Sequence, residues 1–229
     1  MVMVMVTATA TATATGSPST DVAVIGVLAL QGGFEAHEKT LQALGCGTRR
    51  VRSAADLAGL AGLVLPGGES STMLKLIDWN GLWGPLDAFV KAGHPVLATC
   101  AGLILAASGV SHPTQRSFGW LAVDVARNGW GRQNESFEAT DDSGRLRCVF
   151  IRAPRITRIG QGVEVVATFQ GEAIAVRSGN VIGASFHPEL AAEPALHRLL
   201  FAPGTTIGAA GSDLARSIVP ASLSATILR

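Results

Sequence analysis

The stretch that most constrains the fold is residues 94–103, with the sequence HPVLATCAGL. Residues 95–97 are typical of a short buried strand, and residues 101–107 have the small, apolar composition of the first turns of a helix. Cys100 therefore falls on a sharp turn between strand and helix, an arrangement known as a nucleophile elbow. Such a turn lifts the sulfur away from the backbone, near a helix N-terminus whose dipole and free N–H groups favour thiolate over thiol.

A cysteine at this position has a second interpretation. Buried cysteines are often small apolar core residues without any chemical role. The elbow by itself leaves both interpretations open, so the rest of the chain has to decide between them.

Composition limits the kinds of partner that the protein can have. A chain of 229 residues, 48% of them hydrophobic, can bury one sizeable core but not two large domains. The net charge is +1 and the one basic cluster is RRVR at residues 49–52, which argues against nucleic acid or a membrane surface as partner. Three widely separated cysteines suit a reducing, cytoplasmic compartment and offer no metal-type spacing, so we expect no metal and no other cofactor.

The two ends of the chain differ in composition from its middle. Residues 1–20 consist largely of Met-Val and Thr-Ala repeats, which predict a disordered extension or an upstream start-site artefact, although an edge strand is also possible. Residues 21–202 form the expected domain. Residues 203–229 are a C-terminal extension to which the sequence assigns no role.

The order of apolar patterns predicts an α/β fold. In the first half, strand-like runs at residues 22–30, 49–52, 63–65 and 95–97 alternate with helical patterns at 34–44, 54–60, 70–79 and 83–92. The second half is different: strand-like segments at 120–126, 147–152, 163–169, 173–178 and 181–186 follow one another before a closing helix at 192–201. We therefore expect a parallel first half joined to mixed or antiparallel strands.

Two motifs at predicted strand ends could carry chemistry. His187 and Glu189 lie two residues apart, so in extended geometry the carboxylate can hold one imidazole nitrogen while the other faces a thiol. A polar turn that caps the last helix is the alternative. The pair Gly67-Gly68 lets backbone N–H groups approach a ligand closely, although a plain strand-to-helix turn also uses glycine.

These motifs together resemble a known family. Residues 99–102 (TCAG) and 186–189 (FHPE) resemble the class I, triad-type glutamine amidotransferases. Four further segments are similar to the glutaminase subunit of pyridoxal 5′-phosphate synthase: GVLALQG at 26–32, LPGGESST at 65–72, QNESF at 133–137 and FIRAP at 150–154. The resemblance covers residues 21–202, and it departs from the family at Ala98, where glycine is usual, and at Glu135, where aspartate is usual.

The resemblance implies a three-layer, flavodoxin-like fold with a central, mostly parallel sheet. It also implies that Cys100 attacks the side-chain amide of glutamine, that His187 transfers the protons, and that Glu189 orients His187. The oxyanion hole would consist of the backbone N–H groups of Gly68 and Ala101. No cofactor is implied.

Further site residues are implied in the same way. Glutamine would be held by Gly67, Gly68, Glu69, Arg127, Ile151 and Arg152. Either arginine could instead form an ordinary surface salt bridge. Gln31 would lie in a loop that faces the partner, a barrel-shaped synthase subunit that receives the ammonia.

Two other functions are compatible with such a chain. One is a triad glutaminase that serves another ammonia acceptor, for example in the histidine pathway, although the segments GGES at 67–70 and IRAP at 151–154 argue against it. The other is a non-catalytic assembly subunit, which the presence of all three triad residues disfavours.

Overall fold

The computed structural model describes residues 22–130, 136–191 and 194–202. The expected extensions at 1–20 and 203–229 lie outside the described residues, and so do Gln133, Asn134 and Glu135 of the QNESF motif. The domain boundaries at residues 21 and 202 therefore stay a prediction.

Twelve strands and five α-helices make up the described part of the chain. In chain order they are β1 (Val24–Leu28), α1 (Phe34–Ala43), β2 (Gly47–Val51), β3 (Gly62–Leu65), α2 (Ser70–Trp79), α3 (Trp83–Lys91), β4 (Val96–Thr99), α4 (Ala101–Ala106), β5 (Ala107–Ser111), β6 (Leu121–Ala126), β7 (Phe137–Thr140), β8 (Arg147–Phe150), β9 (Arg155–Ile159), β10 (Glu164–Phe169), β11 (Glu172–Ser178), β12 (Val181–Ala184) and α5 (Ala195–Phe201). A short 3-10 helix, Ala54–Leu57, lies between β2 and β3.

The main sheet has seven strands in the order β10-β11-β12-β4-β3-β1-β2. The five strands from β12 to β2 run parallel, and β11 and β10 continue the sheet in antiparallel fashion. This arrangement confirms the prediction of an α/β fold with a mostly parallel sheet and antiparallel strands from the second half. Within the described residues, no helix combines the length and apolar character needed to cross a membrane.

Helices cover both faces of the main sheet because its central strands are apolar on both sides. On β3, Leu63 and Leu65 belong to one buried core and Val64 to the other, and β4 alternates in the same way. The first core is closed by α2, α3 and α4, and the second by α1 and α5. The result is three layers, with one buried core on each face of the main sheet.

Two small sheets lie outside the main one. Strands β5, β6 and β9 form a three-stranded sheet, and β7 pairs with β8. The helix expected at 101–107 was predicted one residue too long, because Ala107 already opens β5. Strands β5, β7 and β9 were not predicted, since they are partly exposed and carry no continuous apolar run.

Helix α4 packs so closely on β3 that only glycine fits at one contact. A β-carbon at Gly102 would lie 2.2 Å from the carbonyl oxygen of Leu65, whereas a β-carbon at Gly84 in α3 would meet no atom within 4 Å. We expect Gly102→Ala to lower the free energy of unfolding by roughly 1–3 kcal/mol, as overpacking does. Gly84→Ala should change it by less than about 1 kcal/mol, because Pro85 follows directly and disfavours helical backbone at a residue with a β-carbon, which offsets the better helix propensity of alanine.

Urea denaturation of the two variants measures both changes in free energy. The close packing of α4 on β3 would be contradicted if Gly102→Ala were as stable as the unsubstituted protein.

Candidate active site

Three neighbouring parallel strands bring the predicted residues to one edge of the sheet. Leu65 pairs with Ala98, and Thr99 pairs with Ala184, so β3, β4 and β12 end at nearly the same level. The chain leaves these ends through the glycine pair, through Cys100 and through His187 respectively. The carboxyl edge of a parallel sheet is where α/β proteins place their ligands.

Cys100 occupies a strained backbone conformation between β4 and α4. Its φ is 49° and its ψ is −104°, a region that residues other than glycine rarely adopt. Its backbone N–H donates to the carbonyl of Ala184 at 2.8 Å, which fixes the turn against β12. The Cys100 sulfur lies 3.8 Å from the carbonyl oxygen of Ile151. Strain of this kind costs on the order of 1–3 kcal/mol and is concentrated at functional sites.

His187 stands between the Cys100 sulfur and the Glu189 carboxylate. Its Nδ1 lies 2.7 Å from Oε1 of Glu189, and both side chains are buried. Burial lowers the pKa of His187, but the hydrogen bonds with Cys100 and Glu189 outweigh it and raise that pKa to about 10. Burial likewise tends to raise the pKa of Glu189, yet the contacts with His37 and His187 lower it overall. At neutral pH the imidazole therefore holds a proton opposite a charged carboxylate.

The glycine pair lies directly against this imidazole. A β-carbon at Gly67 would lie 2.2 Å from Cε1 of His187. Gly68 has a φ of 136°, and a β-carbon there would lie 2.6 Å from the Gln31 side-chain nitrogen. That nitrogen donates to the carbonyl oxygen of Glu69 at 3.0 Å. Larger residues at either glycine would displace His187 or Gln31.

The Glu69 side chain is the N-cap of α2. It accepts hydrogen bonds from the backbone N–H groups of Ser71 at 3.1 Å and Thr72 at 2.7 Å. These bonds outweigh the effect of burial and lower the pKa of Glu69 to about 2. Arg127 donates from Nη2 to the same carboxylate at 2.8 Å. By contrast, Arg152 forms no ion pair with any residue that the structure describes.

A pocket of about 130 Å³ opens in front of the sulfur. Seven of the residues that line it are predicted site residues: Gly68, Glu69, Cys100, Arg127, Ile151, Arg152 and His187. Three more were not among the predicted site residues: Ser70, Ile104 and Asn128. Of the other predicted residues, Glu189 lies on the far side of the His187 ring, and Gly67 lies against that ring. Ala101 is buried at the start of α4, and Gln31 contacts Gly68.

Three buried polar residues behind the triad were also missed. Thr99, His37 and His197 are fully buried. His37 lies with Leu41 on the buried stripe of α1, a position that ordinary core residues occupy. A histidine on the buried stripe of a helix was nevertheless a signal, because such a side chain needs a polar partner. Across the described residues, no group of three or more histidine, cysteine or acidic side chains is placed to hold a metal ion.

Comparison with known proteins identifies relatives of the whole domain. Residues 27–202 match the model of the SNO glutamine amidotransferase family. A protein of Deinococcus radiodurans named pyridoxal 5′-phosphate synthase subunit PdxT is 47% identical over 184 residues, which cover 76% of this chain and 94% of that protein. The protein of the same name from Corynebacterium jeikeium is 45% identical over 181 residues, covering 76% of this chain and 93% of the relative.

Solved structures agree with this relationship. A crystal structure described as a glutamine amidotransferase is 42% identical, with a TM-score of 0.72, and the match covers 77% of this chain and 96% of that one. The structure of PurLQS from Thermotoga maritima is 16% identical, with a TM-score of 0.55, and the match covers 75% of this chain and 90% of that one. At this low identity the likeness shows only that the two share a fold. Because the family model matches most of the chain and the chain covers more than nine-tenths of relatives at least 45% identical to it, the chain belongs to the SNO glutamine amidotransferase family.

Proposed function

We propose that this protein hydrolyses L-glutamine to glutamate and ammonia and supplies the ammonia to a pyridoxal 5′-phosphate synthase subunit. The observation that carries the proposal is the line of contacts from the Cys100 sulfur through His187 to Glu189, at the floor of a pocket beside two arginines. The relatives named as PdxT subunits support the choice of acceptor.

Catalysis begins with Cys100 as nucleophile. Its sulfur attacks the side-chain carbonyl carbon of glutamine, and the proton of the thiol resides on His187. As the C–N bond breaks, His187 gives this proton to the leaving ammonia, which leaves a γ-glutamyl thioester on Cys100. Water then attacks the thioester with His187 as the base, glutamate is released, and Cys100 and His187 return to their starting state with the proton on His187. Glu189 holds the His187 ring in one orientation and stabilises its charge.

The oxyanion and the substrate are held by groups around the pocket. The backbone N–H groups of Gly68 and Ala101 are the proposed donors to the tetrahedral oxyanion, and each such donor contributes roughly 10²-fold to the rate. Arg152 faces the pocket without an ion-pair partner among the described residues, so its guanidinium is available to the α-carboxylate of glutamine. Glu69 and Arg127 already bind each other, and we propose that this pair supplies the rest of the recognition site, with Gly67 and Ile151 as its backbone walls.

The partner is proposed to be a barrel-shaped synthase subunit that docks near Gln31. Gln31 contacts Gly68, one of the proposed oxyanion donors, so a protein that binds the Gln31 loop would also order the donor. We place the reaction in the cytoplasm, where the three thiols, which are free in this structure, would stay reduced.

Replacing the nucleophile tests the proposal directly. We expect Cys100→Ala to abolish glutamate release with or without the synthase subunit, because no other thiol lines the pocket. The variant should leave ammonia-driven synthesis by the complex intact. Cys46→Ala, which removes a buried thiol elsewhere, should retain turnover. Normal glutamate release by Cys100→Ala would refute the assignment of the nucleophile, and a lack of stimulation of the unsubstituted protein by the synthase subunit would refute the proposed partner.

The contact between Gly67 and His187 gives a second expectation. Gly67→Ala would force the His187 ring away from its present position, since the added carbon would lie 2.2 Å from Cε1. Because a misplacement of about 1 Å can cost on the order of 10²-fold in rate, we expect kcat to fall by about that factor. Steady-state kinetics measure the loss, with Gly84→Ala as the matched control. An unchanged kcat would contradict the placement of His187 as the proton-transfer group.

Arg152 should affect substrate binding more than turnover. We expect Arg152→Met to raise the KM for glutamine by about 10- to 100-fold, the effect of losing a hydrogen bond to a charged group. Arg147→Met removes another exposed arginine, which pairs with Glu138, and it should leave KM unchanged. The assignment of Arg152 to the α-carboxylate fails if the KM values of both variants match that of the unsubstituted protein.

A further inference from the structure

A line of buried polar side chains continues from the triad into the core between α1 and α5. Oε1 of Glu189 faces His187, and Oε2 lies 3.3 Å from Nε2 of His37. The other ring nitrogen of His37, Nδ1, lies 2.8 Å from Nε2 of His197. Both histidines are fully buried, so solvent cannot satisfy their ring nitrogens.

We propose that His37 and His197 are positioning residues for glutamine hydrolysis: His37 holds the second oxygen of Glu189, and His197 holds His37 in the tautomer that can do so. This inference rests on the proposed function, because it assigns the two histidines a part in the same reaction. Neither residue lines the pocket, so both would act through Glu189.

The tautomer of His37 follows from its two neighbours. If His37 carried its proton on Nδ1, the lone pair of Nε2 would face the Glu189 carboxylate in a buried space. His197 would then have to accept at Nε2 and would carry its own proton on Nδ1, an atom with no partner among the described residues. A buried N–H without an acceptor is costly, whereas a buried lone pair costs less. The proton of His37 is therefore on Nε2, and His197 donates from Nε2 to Nδ1 of His37.

The charges of the buried groups agree with this assignment. Burial lowers the pKa of His37 to about 4, although the nearby Glu189 charge opposes that shift. Burial also lowers the pKa of His197, to about 3. The titratable groups that face His37 are Glu189, His187 and His197, and the carboxylate is the one anion among them. At neutral pH both histidines are thus uncharged, and His37 acts as a hydrogen-bond donor rather than as a cation.

Two oxygen atoms from different parts of the site lie near the Nε2–H of His37, which forms its hydrogen bond with Thr99 and attracts Glu189. Thr99, the last residue of β4, has its Oγ1 3.2 Å from Nε2, and Glu189 Oε2 lies 3.3 Å from it. The direction towards Oε2 is not that of a well-formed hydrogen bond, so the attraction in this state is mainly electrostatic. Glu189 lies in the turn after β12, outside any helix or strand, whereas His37 is carried by the ten-residue helix α1. The His37 imidazole therefore connects the segment that carries Glu189 to β4, the strand that leads into Cys100.

Two amide substitutions at His37 test the inference. The amide nitrogen of glutamine overlays Nε2 of histidine, so His37→Gln can still place an N–H beside Oε2 of Glu189. The amide of asparagine overlays Nδ1, so His37→Asn keeps the contact with His197 and loses the one with Glu189. We expect His37→Asn to lower kcat by about 10- to 100-fold, because a catalytic group misplaced by about 1 Å can cost on the order of 10²-fold in rate, with KM changed less than about twofold. His37→Gln should stay within about a few-fold of the unsubstituted protein.

The pH profile separates positioning from packing. Without the N–H of His37 beside it, the Glu189 carboxylate is easier to protonate. The acid limb of the pH profile of kcat/KM should therefore move to higher pH in His37→Asn and not in His37→Gln. His197→Leu should shift the limb in the same direction by less. His112→Gln, which makes the same change at an exposed loop position, should behave like the unsubstituted protein.

All assays use the complex with the synthase subunit. Each rate is divided by the amount of Cys100 that a glutamine-analogue diazoketone labels, so that unfolded protein does not count. Equal rates and equal pH profiles in His37→Asn and His37→Gln would overturn the inference while leaving the proposed function intact. If the unsubstituted protein itself released no glutamate, the proposed function would fail instead.

Discussion

The site depends on the adjacency of β3, β4 and β12 in one parallel sheet. These strands are far apart in sequence, yet their pairing register makes them end at the same edge. Each end supplies one part of the site: the glycine loop, the cysteine, and the histidine with its carboxylate. A slip of one residue in either pairing would turn the side chains of that strand to the opposite face and separate these parts.

Close approach of backbones is the second requirement at this edge. Gly67 allows the His187 ring to lie against the loop after β3, and Gly102 allows α4 to lie against the end of the same strand. The strained conformation of Cys100 belongs with these contacts, because its N–H is held by β12 while its carbonyl already starts α4. Small residues and backbone strain occur together here because β4, the loop after β3 and helix α4 all lie close to the Cys100 sulfur.

Buried charge at the site is balanced by partners rather than by solvent. Glu189 is almost wholly buried, and an isolated carboxylate in such a place would be strongly disfavoured. It is flanked by the protonated His187 on one side and by neutral His37 on the other. Thr99 and His197 complete this polar set from β4 and α5, so the elements of the second core also support the chemistry at the rim.

The sequence by itself determined the strands with long apolar runs, the turn at Cys100 and the two-residue spacing of His187 and Glu189, because these signals are local. It did not reveal β5, β7 and β9, whose partial exposure removes the apolar pattern, nor the role of the polar side chain at His37. Only the tertiary structure decided which residues meet: that Glu69 binds Arg127, that Gly67 touches His187, and that His37 reaches Glu189 from a helix some 150 residues away. The reason is physical, since such contacts depend on strand order, register and helix packing, which arise from the burial of the whole core.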